Sequence, residues 1–140
     1  MLRSPVIFKK YSPIGELSNF ANQYAEVLHK SGGFPIAIMD NDHVIAASGL
    51  SKREVLERRV TKNLEELMEN RSVHISTNDV PPMNAIEGFD RKANVVYPII
   101  YGGDVSGAVA LMQGDDNKLP TETEIKLVQV AAAFLGKQME

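Results

Sequence analysis

Val95-Val96-Tyr97-Pro98-Ile99-Ile100-Tyr101-Gly102-Gly103-Asp104-Val105-Ser106-Gly107-Ala108-Val109-Ala110-Leu111-Met112 is the stretch that decides the fold class. Two apolar runs, Val95 to Tyr101 and Val105 to Met112, are separated only by Gly102-Gly103-Asp104. So short a connection with two glycines is a hairpin turn, which makes the runs neighbouring antiparallel strands. Pro98 has no amide hydrogen to give to a ladder and predicts an edge or a bulge. Gly107, inside the second run, predicts a bulge or a close backbone approach.

Upstream the same pattern occurs again. Phe34 to Met39 is a short apolar run, Asp40-Asn41-Asp42 is a turn, and His43 to Ser48 returns, giving another hairpin. Val73-His74-Ile75 offers a third strand, and Val6 to Tyr11 reads as a short strand or extended arm. Ser76 to Ala93 has no period and contains Pro81-Pro82; such a stretch is a lid, a binding loop or a mobile connection.

Helices alternate with these strands. Ser12 is placed to cap a helix with Pro13 in its first turn, and Ile14, Leu17, Ala21, Tyr24 and Leu28 form a stripe that ends at Gly32-Gly33. Ser51-Lys52-Arg53-Glu54 and Thr121-Glu122-Thr123-Glu124 both have the capping-box pattern. Thr61 is placed to cap a helix carrying Leu64, Leu67 and Met68 on one face, with Arg71 at its end. On the last helix Ile125, Val128, Ala132, Leu135 and Met139 form one apolar face, and Leu127, Val130, Ala131 and Phe134 a second. That is wider than one sheet contact needs. Either the first helix covers the second face or a partner chain does.

No strand pair is joined by a glycine-rich phosphate turn into a helix, so a dinucleotide-binding sheet is not expected. The order predicts an α/β chain of the α+β kind, an antiparallel sheet with the N- and C-terminal helices packed together on one face, as in sensor folds of the GAF and PAS type.

The chain has 140 residues, 44% of them apolar and 24% charged, which suits one domain. It has no cysteine, so thiolate nucleophiles, thiolate metal sites and disulfides are excluded. Net charge is −3, against the basic excess of proteins that grip nucleic acid unaided. No apolar run is long enough to cross a bilayer and no secretory leader opens the sequence; the expectation is a cytoplasmic chain with no membrane contact.

Several segments resemble one known family. Phe8-Lys9-Lys10-Tyr11-Ser12-Pro13-Ile14, then Glu16-Leu17, is similar to the junction between the two domains of the stage V sporulation protein T family, AbrB-type transcriptional regulators of spore-forming bacteria. Met68-Glu69-Asn70-Arg71-Ser72 resembles a mid-domain signature of that family. Gly107-Ala108-Val109 and the ending Ala132-Ala133-Phe134-Leu135-Gly136-Lys137-Gln138-Met139-Glu140 resemble its last strand and helix. The resemblance implies a GAF-like regulatory domain over residues 12–140, dimerising through its terminal helices, with higher oligomers in the full-length protein. Residues 1–11 would be a remnant or linker resembling the last strand of an AbrB-type domain. DNA would be bound only through such an N-terminal domain, which this sequence lacks.

The expected interface residues are Leu17, Ala21, Tyr24 and Leu28 on the first helix and Val128, Ala132, Leu135 and Met139 on the last. The expected ligand-binding set is Arg71, Met68, Ser48, Tyr97 and Met112. A guanidinium at Arg71 could fork to a ligand carboxylate or phosphate; the plainer account is a helix-end arginine paired with Glu66 or Asp79. Met68 and Met112 would line an adaptable pocket or simply fill the core. Tyr97 and Tyr101 would offer hydroxyls or pack with a wet tip.

His29, His43 and His74 have no metal-ligand spacing, and Asp40-Asn41-Asp42 lacks the glycine and distal glutamate of a calcium loop. No metal and no cofactor are expected. Lys52, Arg53, Arg58, Arg59 and Lys62, interleaved with Glu54 and Glu57, read as a solvated face, the alternative being contact with DNA beside a neighbouring domain. Three functions compete: an effector and dimerisation domain of a transcription factor, an oligomerisation module without ligand, and an enzyme. GAF-type methionine sulfoxide reductases need the cysteines this chain lacks, and there is no nucleophile-elbow motif.

Overall fold

The computed structural model describes residues 14–140. The arm at Val6 to Tyr11, the Ser12 cap, Pro13 and the division at residue 11 all lie outside the described residues. A 3-10 turn at Gly15–Leu17 leads into helix α1 (Ser18–Gly32). The hairpin β1 (Ile36–Asp40) and β2 (Val44–Ser48) follows, then α2 (Lys52–Val55), α3 (Lys62–Glu69) and the short β3 (His74–Ile75). The hairpin β4 (Ala93–Tyr101) and β5 (Asp104–Met112) precedes the final helix α4 (Glu122–Gln138).

The five strands form one sheet in the order β2-β1-β5-β4-β3, with every neighbouring pair antiparallel. The β4–β5 hairpin supplies the middle of this sheet. Gly107 lies where β5 passes β1: a Cβ there would run into the Met39 carbonyl oxygen. The register also slips beside it, between Ile99 and Ile100. Pro98 is not on an outermost strand, yet it ends a ladder. Ser76 donates its amide to the Asn94 carbonyl and His74 faces Val96, so Pro98 is the next position by alternation. Having no N–H to offer, it leaves β3 two residues long.

Each face of the sheet has its own core. Ile36, Ile38, Val95, Ile99, Val109 and Leu111 face α1 and α4, where Ala21, Ala25, Leu28, Val128, Ala132 and Leu135 meet them. The two terminal helices thus share one face, as the apolar stripes predict. The opposite face is rich in alanine (Ala37, Ala47, Ala93, Ala108, Ala110), and these small residues leave room for Met39, Met112, Leu64, Met68 and Ile86, all buried.

Two expectations need correction. The capping box at Ser51 does not form: its side chain makes no cap bond and the Glu54 amide bonds the Ser51 main-chain carbonyl at 3.0 Å. The helix lasts a single turn and the chain leaves it through Glu57, whose φ is +69°. The stretch from Ser76 to Ala93 is neither lid nor loose connection. Met83 bridges Ala93, Ile86 bridges Val60, and Ala85 and Ile86 are buried. It is a strap anchored to the alanine-rich side of the core through Ala85 and Ile86, with residues 77–81 exposed. By contrast the caps at Thr61 and Thr121 form as expected, the second as a full capping box.

Candidate functional site

α3 places Met68 and the residues after it at one end of the sheet. The helix stops at Glu69, and Arg71 takes the left-handed conformation with φ +52°. That turn carries its guanidinium onto the β4–β5 turn, where Nη2 donates to the Gly103 carbonyl and lies 3.7 Å from Asp104 Oδ1. The pairings with Glu66 or Asp79 suggested by sequence are replaced by this contact, which no local spacing reveals. Arg71 and Met68 share an open groove of about 380 Å3 with Asn41, Asp42, Glu65, Glu69 and the Asp104–Val105 edge.

The other expected ligand residues do not join them. Met112 is buried on the same sheet face but borders a different hollow, near Asn94 and Lys118. Tyr97 packs against the terminal-helix core. Ser48 pairs in register with Ile36 and shares its side of the sheet, toward the terminal helices. The set therefore falls into a pair at the groove and three residues elsewhere.

The rings of His29 and His74 have structural partners, and the main-chain amide of His43 holds a turn. His29 Nδ1 is 2.9 Å from the Phe34 carbonyl at the end of α1. Asp40 Oδ1 accepts from the amides of Asp42 and His43, each at 2.7 Å. Asp40, Asp42 and His43 offer ligand atoms within 4.8 Å of one another, but that Asp40 oxygen is already holding the turn. His74 Nε2 is 3.3 Å from the Ser76 hydroxyl, and burial holds the His74 pKa below its usual 6.5. In the basic cluster, Arg58 donates to the Glu54 and Glu87 carbonyls and Lys52 lies 3.9 Å from Glu26.

A second feature lies on the outer side of α1 and α4. Of the eight expected interface residues, Ala21, Leu28, Val128, Ala132 and Leu135 are buried in the chain's own core and have no surface left for a partner. Leu17, Tyr24 and Met139 are half-buried. The apolar side chains turned to solvent are Val27 at 59% exposure, Val130 at 50% and Phe134 at 43%. Phe134 packs edge-on to Tyr24 with ring centroids 5.4 Å apart and lies 6.0 Å from Phe20. Burial raises the Tyr24 pKa above its usual 10.0, so its phenol stays neutral. The sequence shows Val130 and Phe134 as a second stripe; which stripe the sheet takes depends on packing.

The sheet order, the helix pair on one face and the strapped opposite face define a GAF-type domain. The GAF domain of a phosphoenolpyruvate-protein phosphotransferase from Coxiella burnetii superposes with a TM-score of 0.66 at 18% identity, covering 88% of this chain and 82% of that one. A type II free methionine-R-sulfoxide reductase from Thermoplasma acidophilum superposes with a TM-score of 0.59 at 12% identity, covering 90% and 94%. These likenesses are of fold alone, at identities of 18% and 12%. Within that class the chain belongs to the stage V sporulation protein T family: residues 16–140 match the family described as "Stage V sporulation protein T C-terminal, transcription factor". It is also 41% identical over 137 residues to stage V sporulation protein T of Bacillus subtilis (strain 168), spanning 96% of this chain and 75% of that protein. The chain is thus a regulatory domain of a sporulation transcription factor family. No helix among the described residues is long and apolar enough to cross a membrane.

Proposed function

We propose that this domain joins two copies of its protein through the outer side of α1 and α4 and answers to a small-molecule effector in the groove beside Arg71. The observation that carries the first part is the aromatic cluster of Phe20, Tyr24 and Phe134, flanked by exposed Val27 and Val130. A contiguous apolar patch on a charged chain marks an interaction surface. Aromatic side chains at its centre supply most of the energy in such contacts. A second copy suits the patch because both helices contribute to it, so a two-fold axis can set each patch on its own equivalent.

The effector part is supported by the groove at the end of the sheet. The competing reading, an oligomerisation module without ligand, is favoured by the filled core under α3 and the strap. DNA would be reached through an N-terminal AbrB-type domain, in the cytoplasm, and the domain would catalyse no reaction: it has no cysteine for reductase chemistry.

Phe134→Glu tests association. A charge at the centre of the patch should cost about 2 kcal/mol or more, roughly a thirtyfold loss of affinity. Light scattering should show the native chain as a dimer and Phe134→Glu as a folded monomer. A variant that associates as tightly as the native chain refutes this surface.

A further inference from the structure

At the end of the sheet away from Arg71, β1 begins beside the end of β5: Ile36 pairs with Leu111, while Asp40 pairs with Gly107 at the other end. The loop from α1 into β1, the end of β5 and the first turn of α4 enclose a hollow of about 340 Å3 there. Phe34, Pro35, Leu111 and Met112 line it and are buried. Leu119 also lines it but keeps 45% exposure, so the hollow holds a large apolar side chain that the chain does not cover.

One polar side chain is buried at this place. Asparagine is disfavoured in strands, yet Asn94 lies within β4 at 4% exposure. Ala93 pairs with Met112 and Val95 with Leu111. Asn94 is therefore the extra residue of a bulge, a device that re-aims a side chain. Its Nδ2 donates to the Lys118 carbonyl at 3.3 Å, which fixes the orientation of the amide. Its Oδ1 has no partner among the described residues. No described side-chain nitrogen or oxygen sealed from solvent lacks a partner, so this oxygen opens onto the hollow that Asn94 lines. A carbonyl oxygen held there with unused lone pairs is arranged to receive an N–H donor.

The charges favour a cationic donor. Asp115 is answered by Arg91 at 2.6 Å and Asp116 by Lys118 at 3.8 Å. Glu124 has no ion pair among the described residues. One of its oxygens accepts from the Thr121 amide at 2.9 Å, and the other is unused. Gly33, which closes the carbonyl end of α1, lines the same hollow, and that end of a helix also favours positive charge.

We propose that this hollow binds a primary amine carried on a compact apolar body. The ammonium donates to Asn94 Oδ1 and to the unused carboxylate oxygen of Glu124, and the body covers Leu119 against Phe34 and Pro35. A mostly apolar hollow with a few convergent polar groups suits such a ligand. The site is separate from the groove beside Arg71 and from the aromatic patch, and it stands or falls independently of both.

The experiment is an amide-resolved NMR titration of the chain with phenethylamine at low ionic strength, with phenylacetate and methylamine as comparison probes. Phenethylamine should give saturable shifts at Asn94, including its side-chain amide, and at Leu119 and Thr121, with affinity falling as salt rises. Phenylacetate should leave these signals in place. Methylamine, which lacks the body, should bind at least about tenfold more weakly. Glu124→Gln keeps an oxygen for the Thr121 amide, so α4 stays capped. It should bind phenethylamine about five- to tenfold more weakly, the scale of trading a charge-assisted hydrogen bond for a neutral one. Leu119→Ser, at an exposed position, should fold normally and lose affinity several-fold. The proposal is overturned if phenethylamine gives no saturable shift, or if its shifts gather elsewhere on the domain. It is also overturned if phenylacetate or methylamine binds the hollow as tightly, or if both variants bind as the native chain does.

Discussion

At Gly107 the carbonyl of Met39 occupies the space a side chain would need. A β-carbon there must push β1 and β5 apart in the middle of the sheet, where strands on both sides fix their spacing. Gly107→Ala should therefore destabilise the domain by about 1–3 kcal/mol, the usual cost of overpacking a tight site, read as a lower urea midpoint. An unchanged midpoint would mean that the strands yield freely. His74 gives a second test. Burial lowers its pKa in the folded state, so the unfolded chain binds its proton more readily. Stability from this group is whole above the unfolded value near 6.5 and is lost as pH falls from there toward the depressed folded value. The urea midpoint of the native chain should drop more between neutral and mildly acidic pH than that of His74→Gln; equal drops would remove His74 as the cause. Gly107 was readable because a glycine within an apolar run has few explanations. The contact of Arg71 with the Gly103 turn was not, because the two residues meet only after the sheet has assembled.

Among the elements, two stretches with the same capping pattern behave differently. Thr121 and Glu124 exchange both bonds, at 2.9 and 3.1 Å, and open a helix of 17 residues. Ser51 and Glu54 exchange neither side-chain bond and open a helix of four residues. A cap stabilises a helix only through the bonds it forms, and with Glu57 in the left-handed region the chain leaves this helix at once. Thr121→Ala should cost about 1 kcal/mol, while Ser51→Ala should stay within about 0.5 kcal/mol. Denaturant titration separates them; equal losses would contradict the structure's account of the caps. Both hairpins and the terminal helices were legible from strand-length apolar runs, turn residues and caps. The strap from Ser76 to Ala93 was not. Its anchors are the bridge of Ile86 to Val60 and the Ala85 carbonyl accepting from the Thr61 amide, pairings with residues outside the strap that leave no periodic trace.

For the whole molecule the question is which side of α4 faces the sheet. The small residues Ala131 and Ala132, which by sequence invite a partner helix, are buried in the chain's own core. Only small side chains let α4 settle so closely; at Gly136 a Cβ would meet the Ile100 carbonyl. The outer side keeps Val130 and Phe134, joined by Phe20 and Tyr24 of α1. Substituting Ala132 would therefore damage the fold and say nothing about the proposed association, whereas Phe134, 43% exposed, reports on it provided that the variant is shown to keep its fold, since the ring also packs on Tyr24 and Phe20. The width of the apolar surface was legible in the sequence, but its division between core and exterior was settled by the sheet. The proposed association is tested by the sedimentation velocity of the native chain at micromolar concentration. Association through the aromatic patch predicts a species of twice the chain mass, and a single species of one chain mass at that concentration would contradict it.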